Sequence, residues 1–253
     1  MDLLHGALGD GSDSALEVAL AQALLRHVSR DRLGPTLRVY RPGTATLAFG
    51  RRDVRLPGFG EAVTAAREAG FVPVVRAPGG RAVAYTEQAL VIDHISPDPD
   101  FPSGLEGRFR EYGELLADVL RGLGLDARVG EVPGEYCPGS HSVNARGAVK
   151  LVGTAQRMVR GAWLFSAVAI VGGADRLRPL LGEVYRHLDL PFDAGSVGSV
   201  REERGDVDLD RLEAAVLTAY DGRFGLEPAK LGDDVLADAR EIRDDHTPSA
   251  PRP

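Results

Sequence analysis

One cysteine in 253 residues excludes an internal disulfide and leaves Cys137 a free thiol, as expected of a protein in the reducing cytoplasm. Lysine is almost as scarce. Of 30 basic residues only Lys150 and Lys230 are lysine, and arginine supplies the rest. Arginine keeps its proton at any useful pH whereas lysine can be tuned, so a lysine kept against this bias points to a place that needs one. Lys150 lies among apolar residues and fits that reading; Lys230, in a polar stretch, reads as ordinary surface. The longest apolar run, 162–171, has strand length rather than membrane-spanning length. No basic segment followed by an apolar one opens the chain, so no signal peptide is expected. A net charge of -7 argues against nucleic acid and anionic membranes as partners. The histidines show no zinc spacing, so no metal set is expected. Walker, dinucleotide, HExxH and G-x-S-x-G patterns are also missing.

What is present is a chain with 43% apolar residues, enough for a sizeable core. Ser12 or Asp13 can cap a helix reaching residue 29. Strands are expected at 36–40 and 44–49 around the Arg41-Pro42-Gly43 turn, then at 71–76, 81–85 and 89–95. Helices are expected at 60–70, 105–123, 175–188 and 209–224, with a loop at 97–102. Between them, 128–132, 142–145, 148–152, 154–159 and 162–171 form a strand-rich block. Strands and helices come in blocks rather than strict alternation, which predicts an α+β fold with a mixed, largely antiparallel sheet. One domain over residues 1–243 and a flexible, proline-rich tail at 244–253 are expected.

Three segments could carry chemistry. In Arg76-Ala77-Pro78-Gly79-Gly80-Arg81-Ala82-Val83, two glycines allow close backbone approach to a ligand and two arginines could hold an anion. The same spacing also suits an ordinary turn with solvated arginines. In Glu135-Tyr136-Cys137-Pro138-Gly139-Ser140-His141-Ser142, the cysteine lies on a Pro/Gly loop. A neighbouring cation there raises the reactivity of a thiol, although an inert thiol is equally compatible. In Lys150-Leu151-Val152-Gly153-Thr154-Ala155-Gln156-Arg157, Gly153 is expected to break a strand beside small residues, again leaving room for a ligand.

Together these segments resemble the biotin/lipoate protein ligase superfamily, over about residues 13–224. Arg76-x-x-Gly79-Gly80 and Lys150-x-x-Gly153-Thr154-Ala155 match its Gly-Gly turn and Lys-x-x-Gly strand in order and separation. Cys-Pro-Gly upstream of the lysine, and Gly79-Gly80-Arg81-Ala82-Val83, look most like its cysteine-dependent octanoyl (lipoyl) transferases. That resemblance implies a thioacyl-enzyme on Cys137, with Lys150 positioning the carbonyl and moving a proton. Arg76, Gly79, Gly80, Arg81, Ala82, His141, Gly153, Thr154 and Ala155 would then surround the acyl group. The partners implied are lipoyl-domain proteins: the glycine cleavage H protein and the E2 subunits of 2-oxoacid dehydrogenases. No cofactor is implied. The ligase alternative, with Lys150 on an acyl-adenylate, implies ATP and Mg; a non-catalytic acyl-binding protein is the third reading. Two departures stand out. His141-Ser142 replaces an aromatic–acid pair, and Arg81 adds a guanidinium to the turn. A bound octanoyl chain would need an apolar tunnel, for which Val83, Val91, Val149 and Leu151 are candidates; seven buried carbons contribute roughly 5–6 kcal/mol.

Overall fold

The computed structural model describes residues 1–98 and 104–248. The first half of the chain forms β1 (Asp2–His5), α1 (Ser14–Val28), β2 (Thr36–Tyr40), β3 (Thr46–Phe49), α2 (Phe59–Glu68), β4 (Val72–Val75), β5 (Val83–Tyr85), β6 (Ala89–Asp98) and α3 (Leu105–Gly122). The second half forms β7 (Ala127–Val129), β8 (Val143–Ala145), β9 (Val149–Val159), β10 (Gly161–Ile170), α4 (Ala174–His187), α5 (Val200–Glu203), α6 (Leu209–Phe224), β11 (Glu227–Pro228) and α7 (Asp233–Glu241). Asp13 caps α1 by accepting from Leu16 N at 3.0 Å, and Arg26 and His27 stand in its last turn, where the helix dipole favours positive charge. No helix among the described residues is long and apolar enough to cross a membrane.

Eight strands make one sheet in the order β11-β1-β2-β6-β10-β9-β8-β7, and three make a second, β4-β3-β5. Among the described residues, the parallel strand pairings of the large sheet are those of β1 with β2 and β11. The fold class is the α+β arrangement with a largely antiparallel sheet that the sequence predicts. The alternation along β10 shows the layering, because successive side chains point to opposite faces. Phe165, Ala167 and Ala169 join a core with residues of α3 and α6. On the other face Leu164 packs with α1 and α7, and Ile170 with the small sheet, α2 and α4. Between Leu164 and Ile170 that second face carries Ser166 and Val168, which line a cavity between the two sheets.

Several local expectations change. β2 and β3 are not partners across the Arg41-Pro42-Gly43 turn, because β2 belongs to the large sheet and β3 to the small one. A single site shared by the Gly-Gly turn and the lysine strand would place 76–85 and 148–159 as neighbouring strands of one sheet. They lie in different sheets and touch where Gly79 N donates to Gln156 O at 3.2 Å. Gly153 does not break its strand: β9 runs unbroken from Val149 to Val159. β1, β11 and α7 carry too short or too polar a pattern to be read from sequence. Of the expected loop at 97–102, Pro97 and Asp98 belong instead to β6; 99–102 lies outside the described residues. Of the expected tail, Arg243–His246 is a 3-10 turn with His246 buried and its Nδ1 2.7 Å from Val75 O. Residues 249–253 lie outside the described residues.

Candidate active site

Cys137 sits half-buried in the loop between β7 and β8 with φ +44°, a left-handed backbone that costs a non-glycine residue about 1–2 kcal/mol. Both of its backbone groups are held. Its N–H donates to the Tyr185 hydroxyl at 2.5 Å, and its carbonyl accepts from Lys150 Nζ at 2.9 Å. Strain kept by surrounding bonds is a feature of functional positions. The Tyr185 hydroxyl, on α4, itself donates to Ala82 O at 3.0 Å, so the thiol loop and the Gly-Gly turn are tied through one phenol. Burial, and then the nearby thiol, push Tyr185 well above its ordinary pKa, which keeps it a donor.

The sulfur faces two donors from the turn that bridges β4 and β5. Arg81 N lies 3.2 Å from Sγ, and Arg76 Nη2 lies 3.4 Å away. Arg76 Nη2 also donates to Arg81 O at 2.9 Å, which fixes the guanidinium beside the thiol. An N–H and a guanidinium aimed at one sulfur stabilise negative charge on it. The side chain of Arg81 turns the other way and pairs with the buried Asp53 at 3.2 Å. The extra guanidinium expected near the acyl group is therefore engaged elsewhere. Asp53 also accepts from Gly50 N at 2.9 Å, although burial still raises its carboxyl above the usual range.

Lys150 projects from β9 and is 1% exposed. Its ammonium donates to Tyr136 O and Cys137 O, both at 2.9 Å, and lies 3.4 Å from Glu135 Oε1 and 4.7 Å from the centre of the Tyr136 ring. It braces the peptide carbonyls of the thiol loop, and the cation at the sulfur is Arg76. Burial lowers its pKa, with the Glu135 carboxylate and the thiol of Cys137 opposing. That brings a lysine closer to exchanging a proton near neutrality. The bare Cα of Gly153 leaves the space beside it: a Cβ there would meet Lys150 Cε at 3.4 Å. Glu135 is the hub that sequence reading passed over. Besides Lys150 it accepts from Ser142 Oγ at 2.7 Å and from Gly139 N at 2.9 Å, closing the loop on itself. Its only sequence signal is its place two residues before the lone cysteine.

A narrow cavity opens at Cys137 between Arg76, Val83, Ala84, Tyr136, Gly153, Thr154, Val168 and Ile170. Of the expected lining residues, Val83 and Val91 face cavities between the sheets, whereas Leu151 is buried in the core and Val149 packs against Gly198. Gly79 ties the turn to β9, and Ala82 acts through its carbonyl. His141 and Ala155 stay off this lining. The His141 ring stacks on Phe109 and its Nε2 lies 3.0 Å from Glu106, while its carbonyl accepts from Thr154 Oγ1 at 3.1 Å.

A family model described as the lipoyl protein ligase A/B catalytic domain matches residues 13–219. The chain is 33% identical over 133 residues to an octanoyl-[GcvH]:protein N-octanoyltransferase of Geobacillus kaustophilus, covering 53% of this chain and 47% of that protein. Across such relatives the chain spans about half their length. Over 254 residues it is 30% identical to octanoyltransferase LipM of Kyrpidia tusciae, covering 90% of this chain and 89% of that one. In fold it is similar to lipoate-protein ligase A bound with ATP, at TM-score 0.76 and 24% identity, covering 96% of this chain and 93% of that one.

Proposed function

From the premise that this chain belongs to the lipoyl protein ligase A/B catalytic domain family, we propose that it transfers an octanoyl group between lysines of lipoyl-domain proteins through a thioester on Cys137. Residues 1–243 act in this reading as one catalytic unit. The observation that carries it is the sulfur of Cys137, held between Arg81 N–H and the Arg76 guanidinium at the mouth of a cavity. The names of the octanoyltransferase relatives support the same activity.

The chemistry runs in two exchanges. The thiolate attacks the carbonyl of the donor's octanoyl-lysine amide, a C–S bond forms, and the C–N bond breaks as the leaving amine takes a proton. The amine of the acceptor lysine, in its neutral form, then attacks the thioester. A new amide forms, the C–S bond breaks, and the thiol is restored. Splitting the transfer replaces one difficult amide exchange with two easier steps. Lys150, with its pKa lowered by burial and its ammonium next to Gly153, is the residue that holds or moves the proton at the leaving nitrogen. The reading needs no cofactor. The donor is the glycine cleavage H protein and the acceptors are E2 lipoyl domains of 2-oxoacid dehydrogenases.

A second reading draws on one observation: Lys150 donates to the carbonyls of the thiol loop and not to the sulfur. In an ATP-dependent ligase such a lysine would swing onto an acyl-adenylate, with ATP and Mg as co-reactants and Cys137 incidental. Intact-mass measurement after incubation with octanoylated H protein and no ATP separates the two. A one-octanoyl adduct on the wild type that is absent from Cys137→Ala supports the transferase. Acylation of the acceptor only with ATP, undiminished in Cys137→Ala, selects the ligase.

A further inference from the structure

Beyond the residues that surround the thiol, a second cavity shares Arg76, Val83, Ser166 and Val168 with the first and leads away from Cys137. Its lining changes character rung by rung across the large sheet. Tyr40 pairs with Val91, Val91 with Val168, and Val168 with Gly153, so one rung is largely apolar. The next rung, two residues along each strand, is Arg38, Asp93, Ser166 and Ala155. Arg38 is 1% exposed; it bonds to the Glu17 carboxylate and carbonyl and lies 3.7 Å from Asp93 Oδ2. Ser166 Oγ donates to Asp93 Oδ1 at 2.7 Å.

That leaves Asp93 Oδ2 with a cation too far away for a hydrogen bond and, among the described residues, no donor within bonding distance. Asp93 is 2% exposed and lines the cavity together with Glu17, Tyr40, Tyr85 and Ser166. The second cavity measures about 50 Å³, space for a few waters at roughly 10–15 Å³ each. An apolar chain end entering this space keeps water from the carboxyl and gives it nothing in return. A buried polar atom stripped in this way resists the intruder more strongly than any contact with a methyl group rewards it.

We propose that Asp93 and Ser166 set the upper length of the acyl chain this protein accepts, by forming a hydrogen-bonding floor that an apolar chain end cannot cover. This rests on the acyl-transfer reading. Chain length is then limited by polarity rather than by a steric wall, and the two kinds of limit behave differently. A wall rejects every longer chain. A polar floor rejects a longer alkyl chain but admits one that brings its own hydroxyl to Asp93.

The test uses the full chain with hexanoyl, octanoyl, decanoyl, dodecanoyl and ω-hydroxydecanoyl donors for transfer, and the corresponding free acids for binding by calorimetry. On the wild type, binding and transfer should fall at least about tenfold at the pair of methylenes that first reaches the floor. The terminal hydroxyl should recover most of that loss at decanoyl length. Asp93→Leu combined with Ser166→Ala should move the fall to longer chains. Ser166→Ala alone, and the hydroxylated chain on unaltered protein, keep the test open if the double variant does not fold. Alkyl and hydroxylated chains rejected alike, or no fall up to dodecanoyl, would overturn the proposal. Length-dependent binding with hydroxyl recovery but no transfer would uphold the floor and end the transfer reading. Transfer that ignores chain length would do the reverse.

Discussion

A Cβ built on Gly80 would stand 2.5 Å from the Sγ of Cys137 and 2.6 Å from Nη2 of Arg76. The absent side chain of Gly80 is thus the space in which thiol and guanidinium meet. The residue also has φ +101°, where glycine is at ease and other residues are strained. Gly80→Ala should lower stability by about 1–2 kcal/mol and displace the sulfur, cutting acyl transfer at least about tenfold. Melting and single-turnover acylation measured together check this. A normal acylation rate in the variant would show that the sulfur does not depend on that space.

The cation at the thiol is Arg76, and its removal should be felt at the sulfur first. Arg76→Gln should slow iodoacetamide alkylation of Cys137 at neutral pH by roughly three- to tenfold, with little change in melting temperature. Lys150→Arg should alkylate much more nearly like the wild type, because its charge survives and lies at the loop carbonyls. Slower alkylation in the lysine variant than in the arginine variant would reverse these roles.

Lys150 and Glu135 are both buried, and the pair lies 3.4 Å apart. Removing one partner of a buried pair leaves the other uncompensated, at a cost of about 3–5 kcal/mol. Lys150→Met should therefore lower denaturant stability by that order. Adding Glu135→Gln should restore much of it, since the amide keeps an oxygen for Ser142 and Gly139. Neither variant should transfer acyl groups at the wild-type rate. Equal stability of the single and double variants would mean that the pair is not coupled.

On the far face of β6, His94 packs between Tyr112 and Trp163, with ring centroids 4.7 Å away in each case. Among the described residues its Nδ1 has no hydrogen-bond partner, and burial, with a smaller effect from Arg223, lowers its pKa to about 3. The folded state binds no proton at His94 between about pH 3 and 6.5, whereas the unfolded state does. Stability contributed here is complete above pH 6.5 and is lost as pH falls, by up to about 1.4 kcal/mol per unit. His94→Phe should flatten the acid limb of stability between pH 6.5 and 4 in urea titrations. An unchanged slope would assign the acid sensitivity to other groups.

Much of the fold was legible because periodicity reports burial. The Gly79-Gly80 turn, the helix at 209–224 and the strand-rich block from 142 all follow from local pattern. What was misread was partnership. β2 and β3 look like a hairpin across Arg41-Pro42-Gly43 because a short turn usually joins antiparallel neighbours. Here the chain crosses between sheets instead, and no local signal marks the crossing.

The sequence by itself determined that the molecule is α+β and that its lone thiol lies on a Pro/Gly loop. It also singled out a lysine strand and a Gly-Gly turn as the segments to watch, since residue type and spacing are enough for each. Only the tertiary structure decided which cation meets the sulfur. Arg76 and Cys137 are 61 positions apart, and Tyr185 is 48 beyond the cysteine, separations at which spacing carries no information on contact. It also decided that Arg38, Asp93 and Ser166 form one rung. Alternation along a strand says which side chains share a face, but strand order and register say what lies beside them, and those are set by the packing of the whole chain.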